Sequence, residues 1–153
     1  MKHATLMTGL IAAAGLGGCA QGQFFRTGGP SASSGVVASL ATQTCGRRSY
    51  DRLADVLDLE MVVNVTNDSP ATVTVTPREL RLLAAGDATA PESSDPPGAI
   101  APGATRPVSV HFLRVGDAQC NEQMALSLDR AIDAEGGPVH LRPLSFVASH
   151  SDT

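Results

Sequence analysis

Four kinds of side chain in this 153-residue sequence are able to do chemistry: cysteine, histidine, paired carboxylate and clustered arginine. His111 and His140 each fall on the polar side of an alternating segment, and His150 lies in the tail. Two strand histidines that meet across a sheet can bind a metal, with Cys45 and Cys120 as thiol ligands. No further ligand stands at a metal-site spacing, so the first reading is two solvated histidines and no metal, with the His111/His140 pair as the alternative. Asp58 and Glu60 are two residues apart, which on a strand puts both carboxylates on one face about 7 Å apart. Asp55 lies just upstream. Glycosidase chemistry uses such a pair beside a sugar platform, but the chain has one Tyr, four Phe and no Trp. The pair therefore reads as a solvated strand face, charge-paired with Arg78 or Arg81. Arg47-Arg48 reads as a surface pair. The sequence contains no G-x-S-x-G, H-E-x-x-H, Walker A or dinucleotide-binding glycine pattern. A Ser/His/Asp assembly is spatial rather than sequential, and no serine stands on a recognisable elbow, so the expectation is a protein that is not an enzyme.

The third cysteine has a different setting. Met1-Lys2-His3 is a short basic start, and Ala4 to Leu16 follows without a charge. This is the pattern of a secretory signal. Thirteen helical residues rise only about 20 Å, short of the ~30 Å hydrocarbon core, so the segment is not a spanning anchor. It ends Leu16-Gly17-Gly18-Cys19, which resembles the bacterial lipobox, an aliphatic and two small residues before a cysteine. The resemblance implies cleavage between Gly18 and Cys19, a thioether-linked diacylglycerol on Cys19 and an N-acyl chain in many bacteria. Two or three chains hold durably where one holds only marginally. The implied domains are a signal peptide over 1–18, a lipidated cysteine with a flexible linker over 19–35, and a folded domain over 36–150. The implied location is the exported side of a cell membrane or outer membrane. Ala20 and Gln21 follow the cysteine, and neither is the Asp that retains some enteric lipoproteins at the inner membrane.

With Cys19 occupied by lipid, Cys45 and Cys120 are left as an even pair in an oxidising compartment, which reads as a disulfide. A metal or redox pair is the alternative, although the chain has no C-x-x-C. Lys2 is the only lysine, so the mature chain sets ten arginines against fifteen carboxylates, net −5. No basic face is available for phosphates, and nucleic acid is excluded as a partner class. No cofactor is expected beyond the lipid on Cys19.

The elements that would position these groups are strands. Residues 20–35 form a Gly/Ser-rich linker in which only Phe24 and Phe25 are large and apolar; they dip into the membrane interface or, on the plainer reading, are a sticky tail or pack on the domain. Val36 to Thr44 reads as a weakly patterned strand. Leu57, Leu59, Met61, Val63 and Val65 alternate with Asp58, Glu60, Val62, Asn64 and Thr66, the period-two signature of a half-buried strand. Asn67-Asp68-Ser69-Pro70 is a turn. Strands are expected over 72–76, 79–83, 108–112, 124–128 and 139–147, with Pro77 ending one and Pro143 interrupting the last. Residues 86–105 hold four prolines and three glycines and read as a long surface loop with disorder at its tip.

About seven short strands and no amphipathic helix predict an all-β, two-sheet antiparallel sandwich. The stretch Leu59-Glu60-Met61-Val62-Val63-Asn64-Val65-Thr66-Asn67-Asp68-Ser69-Pro70, followed by a Pro/Gly loop and by Ala101-Pro102-Gly103 ahead of the Val108–Phe112 strand, resembles the small Ig-like modules of bacterial envelope lipoproteins. In that family a strand ending in Asn opens a turn and a Pro-Gly step introduces a later strand. The resemblance spans about two thirds of the chain. It implies an envelope lipoprotein that binds another envelope protein through strand edges or loops. A metal-binding or small-ligand lipoprotein is the alternative.

Overall fold

The computed structural model describes residues 28–50, 54–115 and 118–149. The signal segment, Gly18, Cys19, the Phe24-Phe25 pair and His150 lie outside them. The strands are β1 (Ser31–Ser33), β2 (Val36–Tyr50), β3 (Ala54–Asn67), β4 (Val73–Val75), β5 (Arg81–Ala84), β6 (Asp87–Thr89), β7 (Ser93–Ser94), β8 (Gly98–Ile100), β9 (Thr105–Val115), β10 (Gln123–Ser127), β11 (Ile132–Ala134), β12 (Gly137–Pro138) and β13 (Leu144–Val147). A short 3₁₀ turn over Pro77–Glu79 lies between β4 and β5.

All pairings are antiparallel, and the hydrogen-bonded sheets read β1-β2-β3-β9-β7, β13-β10-β5-β6 and β12-β11-β4-β8. The last two are halves of one interrupted layer. The 3₁₀ turn breaks β4 from β5, and residues 128–131 break β10 from β11 at the same level. The Thr76 N–H bridges the gap to the Ala131 carbonyl at 2.7 Å. Pro77 supplies the physical reason, since a proline has no N–H to offer a continuing ladder. Counting β4/β5, β10/β11 and β12/β13 as single paths and adding β2, β3, β7 and β9 gives seven strands, A to G. Their layers then run A-B-E-D and C-F-G, the constant-type immunoglobulin order, with β6 and β8 added beside C. The fold is an all-β Ig-like sandwich.

The core is set by alternation. Leu57, Leu59, Met61, Val63 and Val65 of β3 are buried against Val108, Val110 and Phe112 of β9. Across the gap they meet Val73, Val75, Leu80, Leu82, Met124, Leu126, Ile132, Leu144 and Phe146 of the second layer in one contiguous cluster. In β2 the inward residues change parity. Val36 and Ala38 are buried, then Gln43 and Cys45, because the ladder skips Ala41: Leu40 pairs Val63 and Thr42 pairs Val62. That bulge explains why the segment is weakly patterned in the sequence.

Cys45 and Cys120 are disulfide-bonded, with Cα atoms 5.7 Å apart. Cys45 lies on β2 in the first layer and Cys120 just ahead of β10 in the second, so the bond ties the layers together. Antibody domains place the corresponding bond between B and F; here it leaves from A.

Three expectations are corrected. Residues 86–105 are not a structureless loop; they form β6, β7 and β8, two or three residues each, at the sheet edges. Edge strands need pairing on one side only, and so tolerate the prolines between them. The linker does not extend to residue 35. β1 pairs with β2 through a tight Ser34-Gly35 turn, with φ of 51° and 75°, the positive-φ pair of a two-residue hairpin. The final strand does not begin at Val139; within residues 139–147 the part that pairs with β10 is Leu144–Val147.

Candidate functional site

The outer face of the first layer gathers the polar residues. Register places Thr44, Glu60, His111 and Ser93 side by side across β2, β3, β9 and β7. The next row holds Thr42, Val62 and Ser109. Asp95 closes it, its carboxylate accepting the Ser109 N–H at 2.7 Å and its own N–H donating to the Ser109 carbonyl at 3.0 Å. These residues line a groove of about 400 Å³.

One end of the groove is built on charge. Asp58 faces outward on β3 yet is only 8% exposed. Its Oδ2 pairs with the Arg48 Nε, and its Oδ1 lies 2.6 Å from His111 Nε2. Gly46, directly opposite Asp58 on β2, has no side chain to block the reach of Arg48. The carboxylate therefore fixes the imidazole ring, with Nε2 turned to Asp58. A nearly buried carboxylate needs such partners, because an unpaired one is costly to desolvate.

This geometry changes the sequence-based assignment of partners. Asp58 pairs with Arg48 and His111, not with Arg78 or Arg81. Arg81 reaches Glu79 at 3.4 Å and caps the Arg78 and Leu80 carbonyls. Arg48 is thus more than a surface residue, although its side chain stays 60% exposed. His111 and His140 do not come together. His111 belongs to the first layer, while His140 follows β12 in the second, where its Nδ1 lies 2.8 Å from Asp129 Oδ1 on an exposed surface. Cys45 and Cys120 are consumed by the disulfide and offer no thiol ligand. Among the described residues, no group of three or more His, Cys, Asp or Glu is arranged to hold a metal ion. Ser93 stands opposite His111, but no hydroxyl among the described residues hydrogen-bonds that imidazole.

Two buried polar side chains hold the frame around this face; Gln43 has no sequence signal of its own, and Asn67 reads only as a turn residue. Gln43 is buried, and its Nε2 donates to the Val147 carbonyl at 3.0 Å, capping the open edge of β13. Asn67 is fully buried. Its Nδ2 donates to the Ala71 and Ile100 carbonyls at 2.8 and 2.9 Å, and its Oδ1 accepts from the Ser69 N–H and hydroxyl at 3.0 and 2.6 Å. Its backbone joins the same hub, donating to the Ala104 carbonyl and accepting from the Gly103 N–H. The Asn turn and the Ala101-Pro102-Gly103 step, 34 residues apart in sequence, are therefore bonded to each other. No helix among the described residues is long and apolar enough to cross a membrane.

No protein-family model and no curated protein matches the chain.

Proposed function

We propose that this protein is a bacterial envelope lipoprotein, held on the exported side of a cell membrane or outer membrane by acyl chains on Cys19. In this reading the Ig-like domain is a non-catalytic module that binds another envelope protein. The observation that carries the export reading is the Cys45–Cys120 bridge between layers, since such bonds persist in oxidising compartments and are rare in reducing ones. The Leu16-Gly17-Gly18-Cys19 motif supplies the anchor.

The groove beside Glu60 and His111 is the surface best suited to a partner. It is polar, lies on a sheet face rather than a mobile tip, and has one wall held by a charge cluster. A basic or hydroxyl-rich loop complements Glu60 and Asp95. Cross-linking in native membranes followed by purification tests this, with the wild-type protein compared against Glu60→Arg. The reading predicts a reproducible cross-linked partner that the substitution removes while the lipoprotein level is unchanged. Equal capture by both forms, or none by either, contradicts it. A small polar ligand is the second reading, favoured by a groove volume that falls within the range of ligand sites. Under that reading, ligand-induced shifts of the His111 ring resonances appear without any protein partner.

A further inference from the structure

We propose that the groove beside Glu60 and His111 takes an arginine side chain of the partner, with the Glu60 carboxylate and His111 Nδ1 as paired acceptors of its guanidinium. This rests on the reading of that groove as the binding surface and names the chemistry the surface selects.

The imidazole is held in one orientation. Register sets Glu60 directly opposite His111, where cross-strand Cβ atoms lie about 5 Å apart. The ring nevertheless turns diagonally to Asp58, whose Oδ1 is 2.6 Å from Nε2. Arg48 pairs with the other carboxylate oxygen, so Asp58 accepts and the Nε2–H donates. In the neutral ring this leaves the lone pair on Nδ1, because the hydrogen bond made by one ring nitrogen sets the state of the other. Neither Nδ1 nor the Glu60 carboxylate has a partner among the described residues. Asp58 and Arg48 are thus positioning residues, and Glu60 and His111 are the groups left to a ligand.

The rest of the lining agrees with a cation. It holds two carboxylates, Glu60 and Asp95, several hydroxyls, and no lysine or arginine. Asp95 is fixed by the Ser109 N–H, which donates to its Oδ2 at 2.7 Å. A ligand rich in N–H donors matches these acceptors.

Val62 points to a side chain with an apolar stem. It is the one apolar residue among the outward positions Asp58, Glu60, Val62, Asn64 and Thr66 of β3. It lines the groove one row from Glu60, about 7 Å along the strand. A long cationic side chain lays its methylenes on such a residue while its head reaches the next row. The head that fits is a guanidinium. Its planar fork gives two N–H groups to a carboxylate and still has donors for a neighbouring acceptor, whereas an ammonium is a compact, strongly hydrated point charge.

NMR of the His111 ring nitrogens tests this on the full-length protein, extracted from its membrane in detergent and held in mildly alkaline buffer. The probes are the acetylated amides of arginine, lysine and citrulline; the last keeps the shape of arginine without its charge. The proposal predicts a bare Nδ1 in the free protein and a shift of that nitrogen on adding the arginine probe. Arginine should bind about tenfold more tightly than citrulline, the worth of one hydrogen bond to a charged group, and more tightly than lysine. Glu60→Gln, at an exposed position, and His111→Phe should each weaken the arginine probe by about tenfold. Asp58→Asn leaves both contact residues in place; it should put protons on Nδ1 in part of the molecules and weaken the probe. Equal binding of arginine and citrulline, tighter binding of lysine, an Nδ1 that already carries the proton in the free protein, or arginine binding unaffected by Glu60→Gln overturns the proposal. Cross-linking in native membranes reads the underlying protein-partner proposal separately. A partner lost in Glu60→Arg, with no response to the arginine probe, overturns this inference alone; a probe response with no captured partner overturns the protein partner alone.

Discussion

Asn67 gives the most quantitative test of the fold. Replacing it with Ala removes four side-chain hydrogen bonds at once and strands the Ile100 carbonyl in a buried setting. At about 1 kcal/mol net for each bond, with the unpaired buried carbonyl at the upper end of the range, Asn67→Ala should lose about 3 to 5 kcal/mol. That is a large part of the roughly 5 to 15 kcal/mol that holds a domain folded. In a domain of about 120 residues it corresponds to a melting point lower by roughly 12 to 20 °C. Asn67→Asp separates shape from chemistry. It keeps Oδ1 and its bonds from Ser69, but turns a second oxygen toward the Ala71 and Ile100 carbonyls. Burial among carbonyls disfavours the charged form, so the folded state of this variant holds its proton to higher pH than the unfolded state does. The stability of Asn67→Asp should therefore be greatest at acidic pH and fall as pH rises through the folded-state titration. Ser69→Ala, which loses only the hydroxyl contacts of the hub, should cost about 1 kcal/mol. Urea unfolding followed by circular dichroism at pH 4 and pH 8 reads all three. Asn67→Ala within about 1 kcal/mol of wild type, or an Asn67→Asp that is equally stable at both pH values, would show that Asn67 is not the hub of this turn.

Further predictions concern β2 and the disulfide. Closing a 75-residue separation constrains the unfolded chain by about 4 to 5 kcal/mol in the entropy model. Cys45→Ala combined with Cys120→Ala should therefore melt well below wild type, and reductant should lower the wild-type melting point to that of the double variant without moving the variant itself. Deleting Ala41 removes only the bulged, exposed residue and restores a regular ladder, so Cys45 still faces inward and a thiol assay finds no free thiols. Deleting Thr44 shortens the strand equally but turns Cys45 outward, and the same assay finds two; identical counts for the two deletions would contradict the bulge assignment. Asp58→Asn keeps the shape but removes the charge that Arg48 and His111 share. It should cost about 1 to 3 kcal/mol and shift the His111 ring signals in an NMR spectrum.

The elements legible in the sequence were those with a long, unbroken period. β3 carries an apolar residue at every second position from Leu57 to Val65, with Val62 the one apolar residue between them, and was readable as a half-buried strand. β9 and β10 were readable for the same reason. β2 was blurred because the extra residue at Ala41 switches its inward set from even to odd numbers. The short strands β6, β7 and β8 carry too few residues to show any period, and the prolines around them read as loop. The candidate site was legible only as a list of parts. That Asp58 and His111 fall on polar strand faces follows from alternation. That they touch each other, and that Arg48 completes the cluster, depends on the register of β2, β3 and β9, which no local pattern encodes. The same holds for His111 and His140, which share a residue type and a polar setting but occupy different layers. Asn67 was visible as a turn residue; its role as a hub required knowing that the Ala101-Pro102-Gly103 step returns to it.

Intact mass analysis of the amino-terminal peptide from membranes of the native host measures the proposed anchor at position 19 directly. The lipoprotein proposal predicts a mature chain that begins at Cys19 and carries a thioether-linked diacylglycerol, with or without an additional acyl chain on its amine. A free thiol at that position, or a mature chain that starts at any other residue, would contradict it.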